Sequence, residues 1–400
     1  MLTSGCEFLG NESDSTRDEI FEAGHIEPGL FKEVEYVPLF PFYTTAGDGG
    51  LLQSPMDVYV GYDQFLYIVD ARGLHVLDVA GRAANFIPIE GGAQSVIQDR
   101  RLHVYVTARR DTLLNGRTWN LPVVLHYEDI TTGSPKLADT IWHPFDEDSR
   151  KFNRPDPIPT DEQVEFTGVA VLPDNSIYVS RRGPVNQLAS VILPHNTVLE
   201  FDPEGLNVSA INALNPNVPS VRSAINPSDV MTFIHPPQRQ SFPDVKHFMI
   251  TQTPGPGQEL QFATLSIKAV VTPDGIVYRP DTEMIGVSGD PDRGDGFIYE
   301  EGKFDNPTDM AFAGDGTNYI FVVDSGTDSL YAFTSRGVEG VAPPPGAGGS
   351  KPVVVSFGGE GDGALQFDDP NGVTYFNHIV YVADTGNNRL SRFRLNTDFE

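Results

Sequence analysis

The chain has 400 residues, of which 39% are hydrophobic and 20% are charged, so it contains enough apolar material for a large core. Its 27 lysines and arginines are outnumbered by 55 aspartates and glutamates, which gives a formal net charge of −28. That charge excludes a general nucleic-acid binder and argues against electrostatic docking on anionic membranes. The 39 glycines and 32 prolines favour tight turns and short strands over long helices.

The single cysteine, Cys6, excludes an intrachain disulfide and follows two small residues, Ser4 and Gly5. This arrangement resembles the end of a bacterial lipoprotein signal, in which the cysteine is acylated and becomes the first residue of the mature protein. The acidic segment after Cys6 resembles that of surface-exposed lipoproteins of the Bacteroidota. The resemblance implies lipid attachment at Cys6, a flexible acidic tether within residues 1–30, and an outer-membrane anchor facing the periplasm or the cell surface. The alternative is a frayed terminus that carries an incidental cysteine.

One pattern recurs along the chain: a proline, a short apolar strand, a turn, a β-branched strand and a glycine turn. It is clearest at 305–333 and 369–390, recurs at 55–77, and is weaker between these segments. The central strands of the repeats end near Asp70, Thr107, Ser180, Thr251, Asp324 and Asp384. They are apolar on both faces, as packing between two neighbours requires. The pattern therefore predicts an all-β fold over residues 31–400, a single β-propeller of six radial, four-stranded antiparallel blades.

The segment 370–390 contains Val-Tyr-Val-Ala-Asp-Thr-Gly-Asn-Asn-Arg-Leu after a Pro-Asn-Gly-Val, and this motif resembles an NHL repeat. The glycine-rich segment 358–367 resembles the linker between two such blades. The resemblance is specific in the last two repeats, fair in the first and weak in the middle three. It implies a six-bladed propeller of the NHL type.

The last repeat stops at Leu395 after only three strands, so the final blade would have an exposed edge. The segment 33–40 alternates as a strand should, and we expect it to supply the outer strand of that blade. At about 60 residues per blade the chain also has room for insertions. We expect these at 143–165, 181–196, 235–246, 281–304 and 338–352.

Asp70, Asp324 and Asp384 recur once per repeat, which is typical of structural residues whose carboxylates accept N–H groups of the following turn. Arginine side chains follow directly after the second and third central strands. Arg109, Arg181 and Arg182 are candidate anion-binding residues at one mouth of the ring, and pairing with the acidic surplus is the favoured alternative.

Carboxylates cluster at Asp290, Asp292 and Asp295, and such hard oxygen ligands suit Ca²⁺. Calcium is therefore the one cofactor that the sequence suggests, and a solvated acidic loop is the alternative. The nine histidines are scattered without a local metal-binding spacing. Nucleophile-elbow, zinc-protease and Walker motifs are absent from the sequence.

Two classes of function fit these observations. The first is a non-catalytic propeller, tethered to the cell envelope, which presents loops to a protein or glycan partner, including as a subunit of an outer-membrane complex. The second is an enzyme, because propellers related to the NHL type include lyases and metal-dependent lactonases with a site on the central axis. The sequence favours the first class, since it carries a lipoprotein-like start and lacks the catalytic motifs named above.

Overall fold

A computed structural model describes most of the chain, namely residues 34–132, 134–144, 156–184, 195–211, 224–237, 246–255, 262–281, 296–344 and 351–399. In these residues 24 strands form six four-stranded antiparallel sheets. The predicted six-bladed β-propeller is confirmed. None of the helices in the described part of the chain has the length or the apolar composition needed to cross a bilayer.

The first three blades follow one another along the chain, each as a meander from an inner to an outer strand. Blade 1 contains β2 (Asp57–Val60), β3 (Phe65–Asp70), β4 (Gly73–Asp78) and β5 (Ala83–Pro88). Blade 2 contains β6 (Ala93–Gln98), β7 (Val104–Leu114), β8 (Arg117–Glu128) and β9 (Lys136–Trp142). Blade 3 contains β10 (Glu165–Val171), β11 (Ile177–Arg182), β12 (Thr197–Phe201) and β13 (Asn207–Ala210).

The remaining blades complete the ring, and short 3₁₀ helices lie at Ile130–Thr132, Asp161–Gln163 and Asn396–Asp398. Blade 4 contains β14 (Pro227–Thr232), β15 (Phe248–Gln252), β16 (Thr264–Thr272) and β17 (Gly275–Pro280). Blade 5 contains β18 (Pro307–Phe312), β19 (Ile320–Asp324), β20 (Ser329–Phe333) and β21 (Phe357–Gly358). Blade 6 contains β22 (Pro370–Phe376), β23 (Ile379–Asp384), β24 (Arg389–Leu395) and β1 (Tyr36–Pro38).

The amino-terminal strand closes the ring as predicted. β1 pairs with β24, with Tyr36 opposite Leu395 and Pro38 opposite Phe393. The Tyr36 ring is buried and lies 6.2 Å from the ring of Phe321 in blade 5. The closing strand therefore completes the hydrogen bonding of blade 6 and also fills the interface with blade 5.

The second strands of blades 1, 5 and 6 are almost completely buried, as their two apolar faces require. All five residues of β19 are buried, and so are the last five residues of β3 and of β23. Burial of a Val, Leu or Ile side chain contributes about 1.5–3 kcal/mol, so these strands hold the blades together.

The recurring aspartates are structural, as predicted. The Asp70 carboxylate accepts the backbone N–H groups of Gln53 at 2.9 Å and Arg72 at 2.7 Å. Asp324 accepts those of Asp305 and Asn306, each at 2.8 Å. These carboxylates tie the linker that enters a blade to the turn after its second strand.

The predicted end of the second central strand near Thr107 is wrong, because β7 continues to Leu114 and pairs with β8 over its whole length. Residues 109–112 are all polar, whereas the repeat pattern requires a central strand that is apolar on both faces. The pattern therefore ends before this part of β7. The turn of this hairpin, Asn115-Gly116, has φ angles of 49° and 79°, a type I′ geometry that Asn-Gly favours. The Asn-Gly pair was thus the local indication of the longer hairpin.

The closing strand gives a stability prediction. Val37 is 1% exposed, so Val37→Asp places a charge in the interface and is expected to destabilise the protein by about 2–4 kcal/mol. The matched control is Val354→Asp, because Val354 is 62% exposed. Thermal melts should show a lower Tm for the first variant only, and deletion of residues up to 40 should also lower the Tm. An unchanged Tm in both the deletion and Val37→Asp would contradict a closing role for β1.

Candidate functional site

The first strands of the six blades surround a central channel, and each contributes one residue to a ring that we call the axial ring. These residues occupy equivalent positions, because each pairs with the corresponding part of the second strand of its own blade. The axial ring consists of Asp57, Ser95, Gly168, Asp229, Asp309 and Gly372.

Polar side chains of the axial ring bind the backbone of the next blade. Asp57 Oδ2 accepts the N–H of Val96 at 2.8 Å, and Asp309 Oδ2 accepts the N–H of Val373 at 2.6 Å. Ser95 Oγ accepts the N–H of Val169 at 3.3 Å. These contacts form a belt of hydrogen bonds from blade to blade near the axis.

Glycine stands in the ring where an aspartate of the next blade approaches. A Cβ at Gly168 would lie 2.2 Å from Asp229 Oδ1, and a Cβ at Gly372 would lie 2.5 Å from the Cα of Asp57. Real side chains do not tolerate such distances. Each glycine therefore leaves the space in which the neighbouring carboxyl group is held.

The three axial carboxyl groups are buried, and burial favours their protonated forms. It raises the pKa of Asp57 to about 7 and the pKa of Asp229 to about 6. Burial and the charge of Asp229 raise the pKa of Asp309 well above its usual range. Asp229 and Asp309 also hydrogen-bond to each other, which requires a proton between them.

Space in the channel is small. The cavity that the axial ring lines measures about 50 Å³, which holds a few water molecules and no sugar ring. His235 also lines it, with Nε2 2.8 Å from the carbonyl oxygen of Tyr375 and its ring 4.9 Å from that of Tyr59. Burial lowers the pKa of His235 to about 4, so this histidine is neutral at pH 7 and donates its N–H to the carbonyl.

A larger space, the blade 1–2 cleft, lies between the outer part of blade 1 and the long hairpin of blade 2. It measures about 430 Å³. Its lining combines apolar side chains with two acidic groups, two arginines and an amide: Pro88, Ile89, Glu90, Gly91, Arg109, Arg110, Asp111, Asn120, Leu125, Tyr127 and Leu137.

Arg109 fixes one wall of this cleft. Its guanidinium donates hydrogen bonds at 2.7 Å to the carbonyl oxygens of Asn120, Glu162 and Val164. These contacts join the long hairpin to the segment that enters blade 3. Arg109 also lines a second cavity of about 260 Å³, with Met56, Gln94 and Phe166 among its other walls.

The other predicted arginines lie within β11 rather than after it. Arg182 donates hydrogen bonds to Glu165 Oε2 at 2.7 and 2.5 Å, so it forms an ion pair with a carboxylate, which is the favoured alternative to anion binding. Arg181 is fully buried, and burial lowers its pKa to about 10. It donates a hydrogen bond to the Pro184 carbonyl oxygen at 2.7 Å. Anion binding by Arg109, Arg181 and Arg182 stays a prediction.

The remaining predicted site residues lie outside the described residues. These are Cys6, the proposed lipid attachment site, and the calcium candidates Asp290, Asp292 and Asp295. The axial carboxyl groups, by contrast, were not singled out from the sequence. Their position two residues after the proline of a repeat, as in Pro307-Thr308-Asp309, was the available indication.

Residues 367–393 match the NHL repeat family, and this segment covers most of blade 6. The chain is a six-bladed β-propeller with an NHL repeat in its last blade. No curated protein sequence matches it significantly.

Similar solved structures share the propeller fold. An auxiliary nutrient binding protein from Bacteroides thetaiotaomicron has a TM-score of 0.50 and 12% identity, over 93% of this chain and 75% of that chain. One from Bacteroides ovatus has a TM-score of 0.50 and 11% identity, over 91% and 77%. A gluconolactonase from Xanthomonas campestris has a TM-score of 0.50 and 10% identity, over 92% and 93%. At these identities the likeness extends to the fold alone.

The axial carboxyl groups give a pH prediction. Because their pKa values are raised above the ordinary value of 3.8, the folded chain binds more protons than the unfolded chain between about pH 4 and pH 7. Stability from this source is therefore present at pH 5 and is lost as the pH rises through 7. Asp309→Asn supplies an amide donor in place of the shared proton, so it should reduce the difference between the Tm at pH 5 and the Tm at pH 8.

The control is Asp48→Asn, because the hydrogen bond from Arg72 lowers the pKa of exposed Asp48 to about 2. This residue is ionised across the whole range and should leave the pH dependence unchanged. Equal pH dependence in wild type and Asp309→Asn would show that the axial carboxyl groups are not the cause.

Proposed function

We propose that this protein is a non-catalytic binding propeller of the cell envelope that holds a neutral glycan in the blade 1–2 cleft. The observation that carries this proposal is the contrast between the two spaces. The channel leaves about 50 Å³ and its carboxyl groups bind the backbone, whereas the cleft offers about 430 Å³. Carbohydrate recognition needs hydrogen-bonding groups beside apolar surface, and the cleft supplies both.

Charge in the cleft favours a neutral, hydroxyl-rich ligand. Glu90 and Asp111 balance Arg109 and Arg110 in its lining. The guanidinium of Arg110 uses one donor on Thr140 Oγ1 at 3.0 Å, and a guanidinium has five N–H donors in all. The net charge of −28 also repels polyanionic ligands at long range.

The envelope location and the anchor are part of the same proposal. The names of two structural neighbours, auxiliary nutrient binding proteins of Bacteroides species, support a binding role. The lipoprotein-like start at Cys6 supports an acyl anchor in the outer membrane. Exposed apolar side chains on the outer hairpin of blade 4, with Val271 84% exposed, support contact with a further subunit of an outer-membrane complex.

Binding in the cleft is tested by calorimetry with a panel of neutral gluco-, manno- and xylo-oligosaccharides. Glu90→Ala and Arg110→Ala should each weaken the best ligand about tenfold or more, because each removes a hydrogen bond to a charged group. Arg82→Ala is the control, since Arg82 is exposed, pairs with Asp78 and does not line the cleft. The glycan proposal would be contradicted if no oligosaccharide bound and the ligands found were all proteins. It would also be contradicted if Glu90→Ala and Arg110→Ala bound the best oligosaccharide as tightly as Arg82→Ala.

The lipid anchor has its own test. Mass spectrometry of the protein purified from native membranes should give a mature chain that begins with an acylated Cys6. Cys6→Ser should release the protein into the soluble fraction, because the acyl chains provide the hydrophobic attachment. An unmodified Cys6 that is still preceded by Gly5 would refute the anchor without affecting the binding proposal.

An enzyme with its site on the axis is the second candidate. It is favoured by the three buried carboxyl groups with raised pKa values, since such groups are frequent at catalytic sites. The fold shared with a gluconolactonase gives it a precedent. The two candidates separate in one comparison: loss of lactone hydrolysis in Asp309→Asn with retention in Glu90→Ala would place the activity on the axis.

A further inference from the structure

Two histidines that are distant in sequence meet on blade 2. His103 stands just before β7, and His126 lies in β8 opposite Tyr105. His103 Nδ1 and His126 Nε2 are 3.0 Å apart. Glu128, two residues further along β8, places its Oε1 3.9 Å from His103 Nε2. One ligand atom from each of these three residues lies within 4.8 Å of the others.

The distance between the two nitrogens matches a shared metal ion. Two imidazole nitrogens that each lie about 2.0–2.1 Å from one zinc ion are about 2.9–3.4 Å apart, depending on coordination geometry. In the metal-free protein one of these nitrogens donates its hydrogen to the other. When a metal binds, the donor ring carries that hydrogen on its second nitrogen, so both facing nitrogens present lone pairs.

The surroundings hold the ligands in place and leave access to solvent. The ring of Tyr105 stacks on His126 with centroids 4.7 Å apart and an interplanar angle of 15°. Glu128 Oε2 accepts a hydrogen bond from Lys136 Nζ at 2.9 Å. An adjacent cavity of about 210 Å³ is lined by His126, Glu128 and the carboxylates of Asp139, Asp202 and Glu204.

From this geometry we propose that His103, His126 and Glu128 form a binding site for one Zn²⁺ ion, with a fourth coordination position open to the adjacent cavity. Two imidazoles and one carboxylate are a ligand set that zinc accepts, whereas Ca²⁺ prefers oxygen ligands alone. The acidic lining of the cavity raises the local concentration of cations. The site lies in the outer part of blade 2 and is separate from both the axial ring and the blade 1–2 cleft.

Calorimetry with ZnCl₂ on the EDTA-treated, untagged full chain tests the proposal. The wild type should bind one Zn²⁺, and Zn²⁺ should raise its Tm. His126→Ala and Glu128→Gln should each weaken binding about tenfold or more, because each removes one of three protein ligands. His378→Ala is the matched control, since His378 is a surface histidine paired with Asp398, and its affinity should equal that of the wild type.

A substitution of Lys136 should increase the Zn²⁺ affinity instead of decreasing it. The Lys136 ammonium group competes with the metal for Glu128, so Lys136→Gln should tighten Zn²⁺ binding about two- to fivefold. Should His126→Ala melt early without zinc, the Glu128→Gln and Lys136→Gln variants decide the question, because both retain the shape of the side chain. Absence of Zn²⁺ binding to the wild type, or undiminished binding in both His126→Ala and Glu128→Gln, would overturn the proposal.

Discussion

The structure depends on the packing of six blades around one axis, where each blade has two apolar faces. Each blade is apolar on both sides, so only its neighbours can cover it, and the inner strands must then crowd together at the centre. The chain meets that crowding with aspartates that bind the backbone of the next blade and with glycines where those carboxyl groups need space. Asp57 beside Gly372 and Asp229 beside Gly168 are the two instances.

Under the proposed function, this packing also determines where a ligand is held. Carboxyl groups on the axis accept hydrogen bonds from the backbone of the next blade and so join the blades. The channel that they line measures only about 50 Å³. The proposed glycan site therefore lies at the periphery, where the blades differ from one another. The long hairpin of blade 2 is the clearest such difference, because it forms one wall of a cleft of about 430 Å³. Rigid packing at the centre and variable binding surfaces at the rim fit a scaffold that presents a site.

Features of the repeat pattern and of ring closure were predictable from the sequence, whereas contacts between side chains of different strands and blades were not. Apolar second strands, turn aspartates such as Asp70 and the closing strand all follow from a pattern or from the missing edge of blade 6. The contact between His103 and His126 depends on the register that the two-residue Asn115-Gly116 turn sets, and this register has to be followed along the whole hairpin before the two histidines come together. The raised pKa values of Asp57 and Asp229 depend on burial between blades, and burial of this kind follows only from the closed ring.

In the proposed function, the axis holds the ring together and the rim holds the ligand. A crystal structure of the protein soaked with its best-binding neutral oligosaccharide tests it most directly. We expect density for sugar rings against Glu90 and Arg110 in the blade 1–2 cleft, with only water among the axial carboxyl groups. Sugar density in a widened channel, in contact with Asp57, Asp229 or Asp309, would contradict it.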